Sequence, residues 1–330
     1  MNRRDFLKNS TAAVSLGLLA RGSLFGQTPP ATTGAAPVAP LNTPKPAPVL
    51  MPTPVTEFRA LRRNVGVFTG RGGTIGWLAA PEALAIVDTQ FADTAAICLA
   101  GLPGRNGRMI DVVINTHHHG DHTSGNGIFK PAAKMIAAQK NVPALMQAAT
   151  DRAAASGRPF ELPVFPDFLF GEVWRKDLGD EIVSAQYFGP SHTGGDAAIY
   201  FERANVVHLG DLLFNRLYPV TDRPGGCNVR HWITALGEIA KTYPADSLYV
   251  YGHGKKEFGI TGTQADLFVF RDFLGGLVAH VEAEIKAGKP RAEIIKLTNL
   301  PGFPDYHVET NSRLPINLGA VYDELTGAAV

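Results

Sequence analysis

The sequence predicts an α/β fold in which β-sheets are packed between layers of helices. Three observations predict it. Short apolar segments of β type form two blocks, in the ranges 64–116 and 179–211. Longer segments, several with apolar residues at helical spacing, follow each block. Strands in blocks that are followed by helices are typical of sheets covered by helices, because each apolar face must be buried against another element.

The first block contains three short strands, a helix and a more apolar strand. Turns with Gly or Pro separate the first three strands. In chain order the predicted elements are strands NVGVFTG (64–70), TIGWLAA (74–80) and ALAIVDT (83–89), helix ADTAAICLAGL (92–102), strand MIDVVINT (109–116) and helix NVPALMQAATDRAAA (141–155). Within the first helix, Cys98 is predicted to be a small buried side chain.

The second block leads into the longest helix. In chain order the predicted elements are strands GDEIVSAQYFG (179–189), DAAIYFE (196–202) and NVVHLGD (205–211), a helix over 229–243, strand SLYVYGHG (247–254), a long helix over 263–288 and a last helix over 316–325. The spacing of apolar residues over 263–288 matches one face of a helix.

The N-terminal 54 residues are predicted to lie outside the folded domain. Arg3 and Arg4, followed by Phe-Leu-Lys and a short, weakly apolar run, resemble a twin-arginine export signal over residues 1–27. Residues 28–54 hold nine of the 24 prolines and predict a disordered Pro/Ala-rich linker. The domain then covers 55–330. We therefore expect folded export by the twin-arginine translocation machinery to the periplasm or the exterior.

The charge of the chain argues against nucleic acid as a partner. Lys and Arg number 31 and Asp and Glu number 30, so the formal net charge is +1. A protein that follows a phosphate backbone needs a basic surface. A small-molecule substrate is therefore the expected partner.

The stretch NTHHHGDHTSGN (115–126) follows a predicted strand and contains four of the chain's 10 histidines. Side chains two residues apart on an extended segment point to one face, so His117 and His119 can reach one metal ion. His118 points the other way and is expected not to be a ligand. After a turn, Asp121 and His122 can face a second ion. Imidazole and carboxylate ligands suit zinc, with iron or manganese as alternatives.

Three more ligand-type residues end strands or lie between them: His192 in SHTGGD, Asp211 in HLGD and His253 in YGHG. The order His-x-His-x-Asp-His, then His, Asp and His, resembles the metallo-β-lactamase superfamily. The resemblance implies an αββα sandwich with two Zn²⁺ ions at one edge of the sheets. It assigns the first ion to His117, His119 and His192, and the second to Asp121, His122 and His253, with Asp211 bridging both. Asp88 matches the first motif of the family, as a residue that orients ligands.

This resemblance implies hydrolysis by a hydroxide that bridges two metal ions. Asp121 is then also the candidate catalytic residue, because it can orient that hydroxide. The bond cleaved is expected to be an ester, lactone, thioester or amide-type bond. Asp211 resembles the glyoxalase II, lactonase and phosphodiesterase-like branches, whereas the best-known zinc β-lactamases have a cysteine there. Because export suits a β-lactam substrate, a β-lactamase stays an alternative.

An alternative of another class is an oxidoreductase that resembles the persulfide dioxygenases, which bind one iron through two histidines and an aspartate. His117, His192 and Asp211 would then hold that iron.

The segment after Asp211 is expected to line the mouth of the pocket. Phe214 and Tyr218 are candidates to pack an apolar part of the substrate, and Arg216 or Arg223 to pair with a substrate carboxylate or phosphate. His231 is kept as a possible pocket residue because its loop follows Asp211.

Overall fold

The structure, a computed structural model, describes residues 55–157, 162–307 and 312–328. The predicted signal and the predicted linker lie outside the described residues. The proposed boundaries of these segments therefore stay predictions. Among the described residues, no helix is both long enough and apolar enough to cross a membrane.

The first sheet has seven strands, hydrogen-bonded in the same order as they occur in the chain. They are β1 (Glu57–Ala60), β2 (Val65–Thr69), β3 (Ile75–Ala79), β4 (Leu84–Val87), β5 (Val112–Asn115), β6 (Ile136–Gln139) and β7 (Phe168–Phe170). Pairing is antiparallel from β1 to β4 and parallel from β4 to β7. Strands β4, β5 and β6 are buried along their full length, as expected for parallel strands covered on both faces.

The second sheet has six strands, and a two-stranded ribbon lies apart from it. The sheet contains β8 (Val173–Asp177), β9 (Ile182–Tyr187), β10 (Ala197–Phe201), β11 (Val206–His208), β13 (Leu248–Val250) and β15 (Thr261–Gly262); the ribbon pairs β12 (Phe214–Asn215) with β14 (His253–Gly254). The spatial order is β15-β13-β11-β10-β9-β8, and only the β11–β13 pair is parallel.

Eight α-helices surround the sheets in the described part of the chain. They are α1 (Ala92–Gly101), α2 (Gly120–Thr123), α3 (Asn126–Phe129), α4 (Val142–Ala155), α5 (Val229–Thr242), α6 (Gln264–Lys286), α7 (Arg291–Ile294) and α8 (Leu314–Thr326). Local sequence accounts for several of their ends. Asn228 caps α5 by accepting a hydrogen bond from the His231 amide, and Gly327 ends α8 at a φ of 69°.

Three apolar clusters show how the layers pack. One lies between the two sheets and includes Val67, Ile114 and Ile199. A second covers the outer face of the first sheet and includes the buried Cys98 of α1. The third and largest joins the second sheet to α5, α6 and α8. Two sheets with helices outside each of them form an αββα sandwich, which confirms the predicted fold class.

The predicted helices and all eight predicted strands are present, with shifts of a few residues at their ends. The sequence did not predict β1, β6, β7 or β8, the short strands β12 and β15, or α7 and the short helices near the histidine stretch. β6 carries the tetrapeptide Ile-Ala-Ala-Gln, whose three apolar residues are too few to give a clear alternation. It becomes a strand because it pairs with β5, so tertiary contact rather than local pattern decides it.

Candidate metal centre

The site is built from loops at one edge of the two sheets. Strands β4 and β5 are parallel, so their carboxyl ends carry Asp88 and the Thr116–His119 segment to the same edge. In the second sheet, β11 and β13 are also parallel, and they carry Asp211 and His253 to that edge. The loop between β9 and β10 adds His192.

The first group of ligand-type atoms comes from His117, His119, His192 and Asp211. His119 Nδ1 lies 3.1 Å from His117 Nε2 and 3.0 Å from His192 Nε2. Asp211 Oδ2 lies 3.4 Å from His192 Nε2 and 3.9 Å from His117 Nε2. A tetrahedral ion with bonds of about 2.0–2.2 Å separates its ligand atoms by about 3.3–3.6 Å. The four side chains therefore fit one such ion.

The second group comes from Asp121, His122 and His253, next to the other oxygen of Asp211. His253 Nε2 lies 3.0 Å from Asp121 Oδ2 and 3.4 Å from His122 Nε2. Asp211 Oδ1 lies 3.1 Å from His122 Nε2 and 3.5 Å from His253 Nε2. These separations fit a second ion of the same kind.

Asp211 joins the two groups because each of its carboxylate oxygens faces a different set of nitrogens. The side chain is buried, and Oδ1 faces the Nε2 atoms of His122 and His253. A buried carboxylate oxygen is costly unless a donor or a cation lies beside it. Gly252 makes this approach possible, because a Cβ there would lie 2.0 Å from Asp211 Oδ1. The predicted set of seven ligand residues is thus brought together in one place.

Hydrogen bonds at the far side of the rings orient the histidines. His122 Nδ1 lies 2.7 Å from Asp88 Oδ2. His117 Nδ1 lies 3.0 Å from Thr116 Oγ1, which in turn donates to Asp88 Oδ2 at 2.8 Å. His192 Nδ1 donates to the carbonyl oxygen of Val220 at 2.9 Å. Each bond places a proton on Nδ1 and leaves the Nε2 lone pair for a cation.

Burial and neighbouring charges set the protonation of the metal-free site. Burial lowers the pKa of His192 to about 3 and that of His117 well below its usual value, so both rings are neutral, as metal ligands must be. Burial also opposes charge on His122 and Asp211. The pKa of His122 is nevertheless raised by the negative charges of Asp211 and Asp88. The pKa of Asp211 is lowered by the positive charges of His253 and His122. The ionised Asp211 carboxylate and the neutral rings of His117 and His192 are the protonation states that a metal site needs.

Asp222 is a site residue that the sequence motifs did not predict. Its Oδ2 lies 3.0 Å from His119 Nε2 and 3.4 Å from His118 Nε2. Its Oδ1 accepts from the amide of Gly225, which fixes the carboxylate in its turn. His118 therefore points away from the first group, as its place in the motif predicts. Asp-Arg-Pro-Gly-Gly is a recognisable turn, but nothing in its spacing connects it to His119.

The structure places the three predicted substrate residues in packing or ion-pair contacts. They are Phe214, Arg216 and Tyr218. Phe214 is buried and stacks on His253, with ring centroids 5.5 Å apart. Tyr218 packs against Phe273 in the helical core. Arg216 pairs with Asp266 at 3.5 Å. None of the three lines the cavities described below, and their contact with substrate stays a prediction.

Three other side chains near the site have clear places in the structure. Cys227 is buried in the largest apolar cluster, directly after the Asp222 turn, and its amide donates to the Asp222 carbonyl. His208 is buried and its Nε2 lies 3.0 Å from the Thr74 carbonyl oxygen, so it is a satisfied core residue. His231 lines neither cavity.

A cavity of about 660 Å³ leads to the centre. His119, Asp121 and His253 line it together with Phe91 and the exposed Arg313. The side chain of Asp121 keeps 29% of its surface accessible, whereas Asp211 is buried. Among the carboxylates of the two groups, Asp121 is thus the one that a substrate or an attacking water can reach.

Comparison with known proteins places this arrangement in a family. Residues 68–258 match the family model described as the metallo-beta-lactamase superfamily, and this match covers more than half of the chain. The chain belongs to the metallo-β-lactamase superfamily. This confirms the resemblance on which the seven ligand positions were assigned.

Two relatives in sequence within the superfamily are hydroxyacylglutathione hydrolases. The protein from Cereibacter sphaeroides is 31% identical over 180 residues, which cover 53% of this chain and 59% of that protein. The protein from Synechococcus sp. is 30% identical over 133 residues, which cover 39% of this chain and 44% of that protein. The chain thus spans about half the length of these relatives.

Two solved structures share the fold of this chain. The stereoselective inverting sec-alkylsulfatase Pisa1 from Pseudomonas sp. aligns with a TM-score of 0.66 at 17% identity, over 83% of this chain and 51% of that chain. A metallo-beta-lactamase from Pontibacter korlensis aligns with a TM-score of 0.54 at 16% identity, over 67% of this chain and 99% of that chain. The superfamily fold and hydrolase relatives agree with the expectation of an enzyme.

Proposed function

We propose that this protein is a dizinc hydrolase of small molecules that cleaves an ester, lactone, thioester or amide-type bond. One observation carries the proposal: the two oxygens of the Asp211 carboxylate face two separate, complete groups of ligand atoms. Iron or manganese would fit the same nitrogen and oxygen donors. The thioester option has additional support, because two relatives are named hydroxyacylglutathione hydrolases.

The residues divide into holding and orienting roles. His117, His119 and His192 would hold one ion and His122 and His253 the other, with Asp211 between them. Two bound divalent cations would supply a hydroxide at neutral pH and polarise the oxygen of the bond to be cleaved. Asp121 is partly exposed in the cavity, so its carboxylate is placed to accept a hydrogen bond from the attacking water and orient it.

The test is metal-dependent turnover by the full chain. Zinc-loaded protein would be assayed with a hydroxyacylglutathione, a lactone, an activated ester and a chromogenic cephalosporin, each with and without a chelator. We expect chelator-sensitive hydrolysis of at least one of the first three. His119→Ala should abolish it, because one group then loses its central ligand. His307→Ala, which changes an exposed histidine outside the site, is the matched control. Retained activity of His119→Ala at stoichiometric protein would refute the assignment.

The same assay separates the alternatives. Rapid, chelator-sensitive turnover of the cephalosporin would make the protein a β-lactamase despite Asp211. A persulfide dioxygenase-like oxidoreductase would instead bind one iron through His117, His192 and Asp211 and consume oxygen with a persulfide. Metal content by elemental analysis and an oxygen electrode distinguish this outcome from hydrolysis, because hydrolysis takes up no oxygen.

We also propose that the protein is exported in its folded state through the twin-arginine pathway. The support is the Arg3-Arg4 pair before a short apolar run. Replacing both arginines with lysine keeps the charge and should leave the protein in the cytoplasm. Fractionation of cells that produce either form, with immunoblotting, checks this. Equal periplasmic amounts of the two forms would refute it.

A further inference from the structure

A second cleft of about 750 Å³ adjoins the cavity of the metal centre. Phe91 and Gly120 line both spaces, so the cleft and the cavity share a wall. Pockets of roughly 300–1,000 Å³ are typical of small-molecule sites. The cleft is therefore large enough to take part of a substrate whose reacting bond lies at the metals.

Helix α4 forms one side of this cleft with a face of small and apolar side chains. Met146, Ala149, Thr150 and Ala153 line the cleft and recur at intervals of three, one and three residues, which is the spacing of one helix face. Met146 is buried beneath this face. Since alanine carries only a methyl group, Ala149 and Ala153 leave the space beside the helix open.

Phe91 also lines the cleft and packs against Arg71. The guanidinium of Arg71 lies 4.1 Å from the centroid of the Phe91 ring. Arg71 in turn donates two hydrogen bonds to Asp93, at 3.1 and 2.8 Å. Leu162 stands at the rim with 81% of its surface exposed. A hydrocarbon group in the cleft would cover this leucine and the half-buried methyl groups of α4 from water.

Polar groups line the cleft beside the metal centre and next to Phe91, where the Arg71–Asp93 ion pair lies. His118, Thr123 and Ser124 come from the histidine stretch and its short helix, next to Gly120. The ring of His118 is buried, and its Nδ1 has no hydrogen-bond partner among the described residues. The α4 end is lined by methyl groups and by Met146. The cleft therefore has polar groups beside the metal centre and Phe91, and a mainly apolar face along α4.

We infer that this cleft binds an unbranched hydrocarbon arm of the substrate, an acyl or alkyl chain that extends from the bond held at the metal centre. The inference rests on the proposed function for the position of that bond. It adds a substrate class, because bonds attached to a linear apolar chain would be preferred over those attached to a small or charged group.

Binding of n-alkanoates to the zinc-loaded full chain tests this without turnover. Acetate, butyrate, hexanoate and octanoate share one carboxylate and differ only in chain length. Calorimetric affinity should rise along the series, by up to about fourfold for each methylene that becomes fully buried. A flat series would overturn the inference.

Variants with bulkier side chains in the cleft test whether the hydrocarbon chain binds there. Ala149→Leu and Ala153→Leu put bulk on the face of α4 that lines the cleft, and we expect them to remove most of the gain from acetate to octanoate while leaving acetate binding unchanged. Ala154→Leu is the matched control, because Ala154 is exposed on the same helix and does not line the cleft. Equal octanoate affinity in all three variants and the parent chain would overturn the inference. Thermal unfolding of each variant shows that the fold is kept.

Turnover separates this inference from the proposed function. If alkanoates bind with the expected length dependence but no ester, lactone, thioester or amide is cleaved, the inference holds and the proposed function fails. If substrates are cleaved but neither their kcat/KM nor alkanoate binding depends on chain length, the proposed function holds and the inference fails.

Discussion

Substitution of the buried Asp88 should disturb ligands of both metal groups, because its carboxylate orients His122 and, through Thr116, His117. Oδ1 accepts a hydrogen bond from the Thr116 amide at 2.7 Å. Oδ2 accepts from Thr116 Oγ1 at 2.8 Å and from His122 Nδ1 at 2.7 Å. Through Thr116 the same carboxylate also orients His117. Asp88→Asn removes one acceptor atom from this network at nearly constant volume.

Either orientation of the new amide has a cost. If its NH₂ group faces the Thr116 amide, two donors oppose each other, and a buried donor without an acceptor costs about 1–3 kcal/mol. If it faces His122, the ring must give up its Nδ1 proton, and that proton moves to Nε2, where it blocks the second ion. Loss of such an orienting partner typically costs about 10–100-fold in metal affinity. Backbone strain is not the cause, because asparagine tolerates the φ of 64° at this position.

Two measurements check this prediction. Urea unfolding of the metal-free protein gives the change in free energy of unfolding, and competition with a chromogenic chelator gives the affinity for each zinc ion. We expect loss in at least one of them. Asp272→Asn is the matched control, because Asp272 is exposed and pairs with its neighbour Arg271. An Asp88→Asn protein with parental stability and parental affinity at both sites would refute the orienting role.

Three further predictions concern other carboxylates. Asp211→Ala should lower the occupancy of both metal sites together, and loss of one ion alone in elemental analysis would argue against a bridge. Asp222→Asn should weaken zinc binding by about tenfold, because His119 loses its acceptor; unchanged affinity in the chelator competition would contradict this. Burial raises the pKa of Asp196 from its usual 3.8 to about 7. The folded state therefore binds this proton more tightly than the unfolded chain does. The protonated Asp196 carboxyl adds to the free energy of unfolding below about pH 4, and this contribution, on the order of 4 kcal/mol, is lost by about pH 7. The difference in unfolding free energy between the parent chain and Asp196→Asn, measured in chelator, should follow that pH dependence, and a constant difference would contradict it.

The sequence by itself determined the local parts of this protein. The two β-rich blocks and the apolar spacing of the long C-terminal helix identify the layers, because such patterns depend only on neighbouring residues. The spacing in HHHGDH likewise determines that His117 and His119 share a face and that His118 does not. His192, Asp211 and His253 were assigned by family resemblance, since no local rule relates residues so far apart in the chain.

Only the tertiary structure decided how those parts meet. Parallel pairing of β4 with β5, and of β11 with β13, brings the strand ends to one edge and lets Asp211 face both groups. The contact of Asp222 with His119 and the cleft beside α4 depend on loops that approach each other across the fold, and no spacing in the sequence encodes such approaches. Arg216 pairs with Asp266 for the same reason. The local sequence pattern determines on which face of a helix or strand a side chain lies. Long-range packing determines which residues that face contacts.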